Sequence, residues 1–139
     1  MKRILSIIVA GIMFLFICTV VGIWIWIDVD VKKNIKIALE KYPGTAEDAL
    51  VAYLVDATNT PIERTHIAIW TLGQIQSEKA VPILKELYKN DPEGKTCYGN
   101  HDMVLCQYEI YKALHACEAN WWPLHARLKR YQSNLGDVF

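Results

Sequence analysis

Neither sign of charge is in surplus, for 15 Lys and Arg stand against 15 Asp and Glu. Two of the basic residues, Lys2 and Arg3, precede an apolar N-terminal run, which leaves 13 against 15 for the remainder. A binder of phosphate backbones needs a basic surface to displace counterions, so nucleic acid is not an expected partner. Sustained strict alternation of apolar and polar residues is also missing, which argues against a sheet. No H-E-x-x-H pair, nucleophile elbow or paired-carboxylate motif occurs, so no residue is nominated as catalytic or cofactor-binding. Gly94-Lys95-Thr96 resembles the end of a phosphate loop only superficially, because Lys89 stands where the first glycine belongs and no strand precedes it.

Charge is absent altogether from Ile4 to Ile27, whose clearly polar members are Ser6 and Thr19. At 1.5 Å per residue a helix of that length crosses the roughly 30 Å hydrocarbon core of a bilayer with some tilt. Trp24 and Trp26 fall where an interfacial aromatic belt would put them. A cleavable signal peptide is the competing reading, with Lys2 and Arg3 as its basic region and Val20-Val21-Gly22 as a weak cleavage site. Its apolar core would be too long, since such cores run roughly 7 to 15 residues. Residues 1–27 therefore read as a single transmembrane signal anchor and residues 28–139 as one domain, about the size that buries a modest core. Lys and Arg counts on the two flanks give no clear winner for orientation. The short basic tail against the apolar run, with Asp28 and Asp30 opposite, places the N-terminus in the cytoplasm and the domain outside it, periplasmic if the cell is bacterial.

Within the domain, apolar residues recur at three- and four-residue spacings, so the expected fold class is all-α. A helix is expected over 31–42 with Ile35, Leu39 and Tyr42 on one stripe, stopped by Pro43-Gly44. Thr45 caps the next, which runs through Asp56 with Leu50, Tyr53, Leu54 and Ala57 facing inward. Thr60-Pro61-Ile62-Glu63 is a capping box with proline at the first helical position, opening a helix that reaches Gln76. Ser77 caps a fourth helix over 78–90, where Pro82 is tolerable only in the first turn. Residues 91–99 read as a loop. A helix over 102–118 carries Cys106, Ile110, Ala113, Leu114 and Cys117 on one stripe, and a last helix runs from Trp122 or Pro123 to about Gln132.

The segment repeats. Advancing 65–89 by 41 residues sets Ile69 on Ile110, Trp70 on Tyr111, Pro82 on Pro123, Ile83 on Leu124 and Leu87 on Leu128. A weaker copy at an offset of 33 sets Leu39 under Leu72, Leu50 under Ile83 and Leu54 under Leu87. Two helices per period of this length imply a solenoid of about three hairpins, each burying its apolar face on its neighbours. Ala68-Ile69-Trp70-Thr71-Leu72-Gly73-Gln74-Ile75 followed by Ala80-Val81-Pro82-Ile83-Leu84 resembles a HEAT-like repeat. The resemblance covers 63–87 well and 105–130 loosely, and implies a binding scaffold. Some relatives attach or isomerise bilin chromophores, but the repeat motif itself carries no catalytic residue.

Three cysteines lie outside the anchor, with His101 between Cys97 and Cys106 and His115 near Cys117. A Cys97–Cys106 disulfide would tie the insertion that lengthens the period to the following helix. A Cys97, His101 and Cys106 metal cluster has suitable donors, but its spacing matches no common zinc pattern and offers no fourth ligand. Alternatively, Cys106 and Cys117 are small core residues. His66 and His125 read as surface or satisfied helix residues. Trp121 and Trp122 could anchor a partner, although the equivalence of Trp122 with Val81 favours packing for at least one indole.

The function expected from these features is a membrane-anchored interaction module without enzymatic activity. It would serve as an accessory or assembly subunit of a membrane complex, touching the bilayer through 4–27. The alternatives are a lyase-like or chromophore-handling enzyme using a reactive cysteine and a metal-binding sensor.

Overall fold

The computed structural model describes residues 2–98 and 100–118. The helix expected over 122–132, with Trp121, Trp122 and His125, lies outside the described residues. Among the described residues the regular elements are all helical and none is a strand. The chain divides into two compact units, Met1–Lys32 and Lys33–Phe139.

Helix α1 (Lys2–Lys41) begins in the first unit. Two elements were expected here, one to Ile27 and one from about 31, yet the helix is uninterrupted. Asp28-Val29-Asp30 contains neither proline nor glycine to end it, and Lys32 bonds back to Asp28 at 2.9 Å with the i,i+4 spacing of a helix. In the first unit the large apolar side chains from Ile7 to Trp26 are exposed, and the helix is long and apolar enough to cross a membrane. Thr19 satisfies its hydroxyl on the Leu15 carbonyl at 2.9 Å, as a polar side chain within an apolar helix requires.

In the second unit the last turns of α1 bury Ile35 and Ala38, while Leu39 and Tyr42 are half-buried. Pro43-Gly44 ends the helix, Gly44 adopting φ 141°. Thr45 then accepts from the Asp48 backbone N–H at 3.2 Å and opens α2 (Ala46–Val55). Ala49, Leu50, Tyr53 and Leu54 face inward. Ala57, expected on that stripe, is exposed because α2 has already ended, and Asn59 is buried beyond it. Burial of that amide is offset by bonds from Nδ2 to the Tyr53 carbonyl at 2.8 Å and to the Tyr42 hydroxyl at 3.0 Å.

The capping box forms as the sequence implies. Thr60 Oγ1 accepts from the Glu63 N–H at 3.3 Å, and Glu63 accepts from the Thr60 N–H at 2.9 Å. It opens α3 (61–74), built of α-helical Pro61–Glu63, a π-helical stretch Arg64–Ile69, and α-helical Trp70–Gln74. The π stretch was not expected. Asn34 Nδ2 donates to the His66 carbonyl inside it at 3.3 Å and to Thr71 Oγ1 at 3.0 Å. The helix stops at Gln74 rather than Gln76, since Gln76 turns left-handed at φ 50° and the Ser77 N–H bonds the Leu72 carbonyl at 3.1 Å. Ser77 stands at the cap position of the next helix, but its side chain makes no capping bond and its hydroxyl is buried without a hydrogen bond.

Helix α4 (78–87) starts as a 3-10 turn, Glu78–Ala80, and continues as Val81–Leu87, with Pro82 in its first turn. It ends three residues short of Asn90. The buried Gln107 side chain accepts from the Lys89 N–H at 2.7 Å and donates to the Leu87 carbonyl at 3.3 Å, replacing the bonds a longer helix would make. Helix α5 (Gln107–Glu118) begins five residues later than expected, because the Met103 and Val104 N–H groups fold back on the Asn100 carbonyl. Its expected stripe is buried throughout, at Cys106, Ile110, Ala113, Leu114 and Cys117.

Leu50, Leu54, Ile69, Leu72, Leu84 and Ile110 have no exposed surface and form the centre of the unit. Each such side chain contributes about 1.5 to 3 kcal/mol of transfer free energy. Helix α3 lies so close to α5 that a Cβ on Gly73 would come within 3.0 Å of Ala113 Cα.

Candidate functional site

The chain between α4 and α5 is organised by a single carboxylate. Asp91 accepts from the Thr96 N–H at 2.8 Å, the Thr96 hydroxyl at 2.8 Å and the Lys95 N–H at 3.0 Å, and these bonds, the Thr96 pair foremost, lower its pKa. Gly94 is left-handed at φ 66°, and a Cβ there would meet Tyr108 Cβ at 2.9 Å and Cys97 Sγ at 3.2 Å. Glycine lets the loop lie down on the first turn of α5. A 3-10 turn, Lys95–Cys97, then carries Cys97 inward.

Cys97 and Cys106 meet there, both buried, with their thiol sulfurs 2.8 Å apart. Cys97 Sγ also donates to the Gly94 carbonyl at 3.2 Å. The next turn, closed by the Asn100 N–H on the Cys97 carbonyl at 3.0 Å, holds exposed His101 beside them. One donor atom from each of Cys97, His101 and Cys106 lies within 4.8 Å of the other two. The residues of the candidate disulfide and of the candidate metal cluster are thus brought together in one place.

Burial, reinforced by the adjoining Cys97 thiol, raises the pKa of Cys106, and the Glu109 and Tyr108 N–H groups of the first turn of α5 oppose the rise. A protonated, buried thiol is a slow nucleophile. Cys117 stands apart, donating to the Leu72 carbonyl at 3.4 Å, and burial pushes its pKa up to about 12. It behaves as the small core residue anticipated from its stripe.

Residues 66–90 match the family model of the PBS lyase HEAT-like repeat. The segment is a HEAT-like repeat. No curated protein and no solved structure matches the chain. The HEAT-like repeat takes in most of α3 and all of α4, and the thiol and imidazole cluster follows it as an insertion before α5. Ile69 in the repeat and Ile110 at the 41-residue offset are both fully buried, and Trp70 and Tyr111 are both half-buried. The equivalence therefore holds on the first helix of the pair, whereas Pro123, Leu124 and Leu128 lie outside the described residues. At the 33-residue offset it holds less well, since Leu50 and Leu54 are fully buried but Ile83 and Leu87 only partly.

Aromatic contacts give Tyr111 a packing role, its ring lying 6.0 Å from Tyr88 and 4.4 Å from His115. His66 is exposed on α3. A polar cluster that the sequence did not announce joins the end of α1 to the α2–α3 turn. The Tyr42 hydroxyl donates to Asp56, whose other oxygen accepts from the Thr58 N–H at 2.8 Å, and Lys41 bonds Asn59. Foremost the Tyr42 bond, then those of Thr58, hold Asp56 down at a pKa of about 2. The turn-forming run 56–61 was the one local hint of it.

Proposed function

We propose that this chain is a membrane-tethered protein interaction module, in which a short stack of about three HEAT-like hairpins is held at a bilayer by residues 4–27. The observation that carries the reading is the HEAT-like repeat at 66–90, followed by a helix whose buried stripe is in register with it. Stacked hairpins offer an extended surface with little chemistry of its own, which suits recognition better than catalysis. The exposed apolar helix supports tethering, and tethering raises the effective concentration of a module near a membrane complex. On this reading the protein is an accessory or assembly subunit without enzymatic activity, with its N-terminus cytoplasmic and its domain on the outer face.

Affinity capture of the full chain from native membranes in mild detergent tests the role. A partner should co-purify in fixed stoichiometry and be lost when residues 28–139 are replaced by an unrelated soluble domain. Recovery of an isolated monomer overturns the reading. Orientation is tested by Tyr98→Cys at an exposed loop position. A membrane-impermeant maleimide should label that variant in intact cells, and labelling only after lysis reverses the assignment.

A further inference from the structure

We propose that Cys97, His101 and Cys106 form a three-ligand site for a zinc-class divalent cation, with its fourth position open to solvent or to a partner's side chain. The inference stands independently of the tethering reading. Two sulfurs and one imidazole are the donor set that selects zinc over hard cations such as magnesium or calcium. Three protein ligands with a fourth position left open is an established zinc arrangement, so the lack of a fourth protein ligand is no obstacle.

The 2.8 Å between the sulfurs does not by itself choose between the chemistries open to a thiol pair. It lies between the roughly 2.05 Å of a disulfide and the roughly 3.7 Å that two thiolates take on one tetrahedral zinc with 2.3 Å bonds. His101 makes the difference. A disulfide has no use for an imidazole, whereas a metal needs a third donor, and His101 brings one within 4.8 Å of both sulfurs from a turn bonded to Cys97 itself.

Binding balances without any redox partner. The two thiols release one proton each, the dication replaces them, and the buried sulfurs become part of a neutral unit. Bonds from the metal to both sulfurs would clamp the loop of residues 91–105 to α5, beside the end of the HEAT-like repeat.

The test uses the full chain in detergent micelles or lipid nanodiscs, reduced with a phosphine, stripped by a chelator and titrated with Co²⁺. One equivalent should bind, giving thiolate-to-cobalt charge-transfer absorption and tetrahedral d–d bands, with release of two protons. Zn²⁺ should displace it. Because His101 is exposed, His101→Ala should keep the helical circular dichroism while weakening Co²⁺ binding at least tenfold. Cys106→Ser should remove about half of the charge-transfer intensity or all binding. Absence of stoichiometric binding by the reduced chain overturns the proposal, as does binding insensitive to His101→Ala. A chain that isolates 2 Da light through a Cys97–Cys106 disulfide, and binds no Co²⁺ once reduced, overturns it in favour of a structural crosslink.

Discussion

Gly73 of α3 faces Ala113 of α5 so closely that an added Cβ would lie 3.0 Å from Ala113 Cα and 3.2 Å from its Cβ. The obstacle is backbone, which cannot rotate aside. Gly73→Ala gains about 1 kcal/mol of helix propensity but forces the helices apart, and overpacking costs about 1 to 3 kcal/mol. A net loss of about 1 kcal/mol is expected, growing with Gly73→Val. Urea unfolding of the full chain in micelles, followed by circular dichroism, measures it, and a Gly73→Ala variant more stable than the parent refutes the close packing.

Thr60→Ala removes the hydroxyl half of the capping box, the Oγ1 that accepts from the Glu63 N–H at 3.3 Å and donates to its carboxylate at 2.7 Å, while the Thr60 N–H can still reach Glu63. A loss of about 1 kcal/mol is expected, within the usual range for an N-cap. Thr60→Ser should restore most of it, so the pair of variants separates capping from general tolerance at an exposed site.

The Asp56 carboxyl titrates at about 2 in the fold against an ordinary 3.8, chiefly because Tyr42 donates to it. A depressed folded value means the stabilisation is fully present above about pH 3.8 and is lost as the pH falls through about 2. Tyr42→Phe should raise the Asp56 pKa towards 3.8 and move acid unfolding to higher pH. Carboxyl NMR titration and circular dichroism between pH 2 and 5 check the two effects.

Gln107→Leu keeps an apolar volume in place but leaves the Lys89 N–H and the Leu87 carbonyl without their side-chain partner. About 1 to 3 kcal/mol of destabilisation is expected. Faster amide exchange at Lys89 would locate the loss at the end of α4, and exchange unchanged there would contradict the assigned bond.

Buried Cys117, with its pKa pushed up to about 12, should resist iodoacetamide at pH 8 in the native chain and react within minutes once denatured. Peptide mass spectrometry of the two states distinguishes Cys117 from the other thiols. Native alkylation at the rate of a free thiol would contradict its burial.

Several features were legible from local rules because their causes are local. The capping box at Thr60, the Thr45 cap and the stop at Pro43-Gly44 each depend on residues within four positions of one another. The stripe from Cys106 to Cys117 follows from helical period alone. Misreadings occurred where a distant group intervened. Ser77 is cap-competent by type, but in the fold its hydroxyl is buried and caps nothing. Helix α4 stops early because Gln107, from the next helix, takes over its last bonds. Asp28-Val29-Asp30 suggested a boundary by composition, yet charge alone does not end a helix whose backbone hydrogen bonds can continue.

The amino-acid order by itself determined the helical class, the apolar N-terminal stretch and the HEAT-like repeat. Period, caps and charge-free length are properties of neighbours along the chain. Tertiary structure alone decided that Cys97, His101 and Cys106 converge, that Asn59 and Gln107 are buried and satisfied, and that glycine is required against Ala113. Those outcomes depend on which surfaces meet after the chain has folded back on itself, a matter of distance in space that residue spacing does not encode.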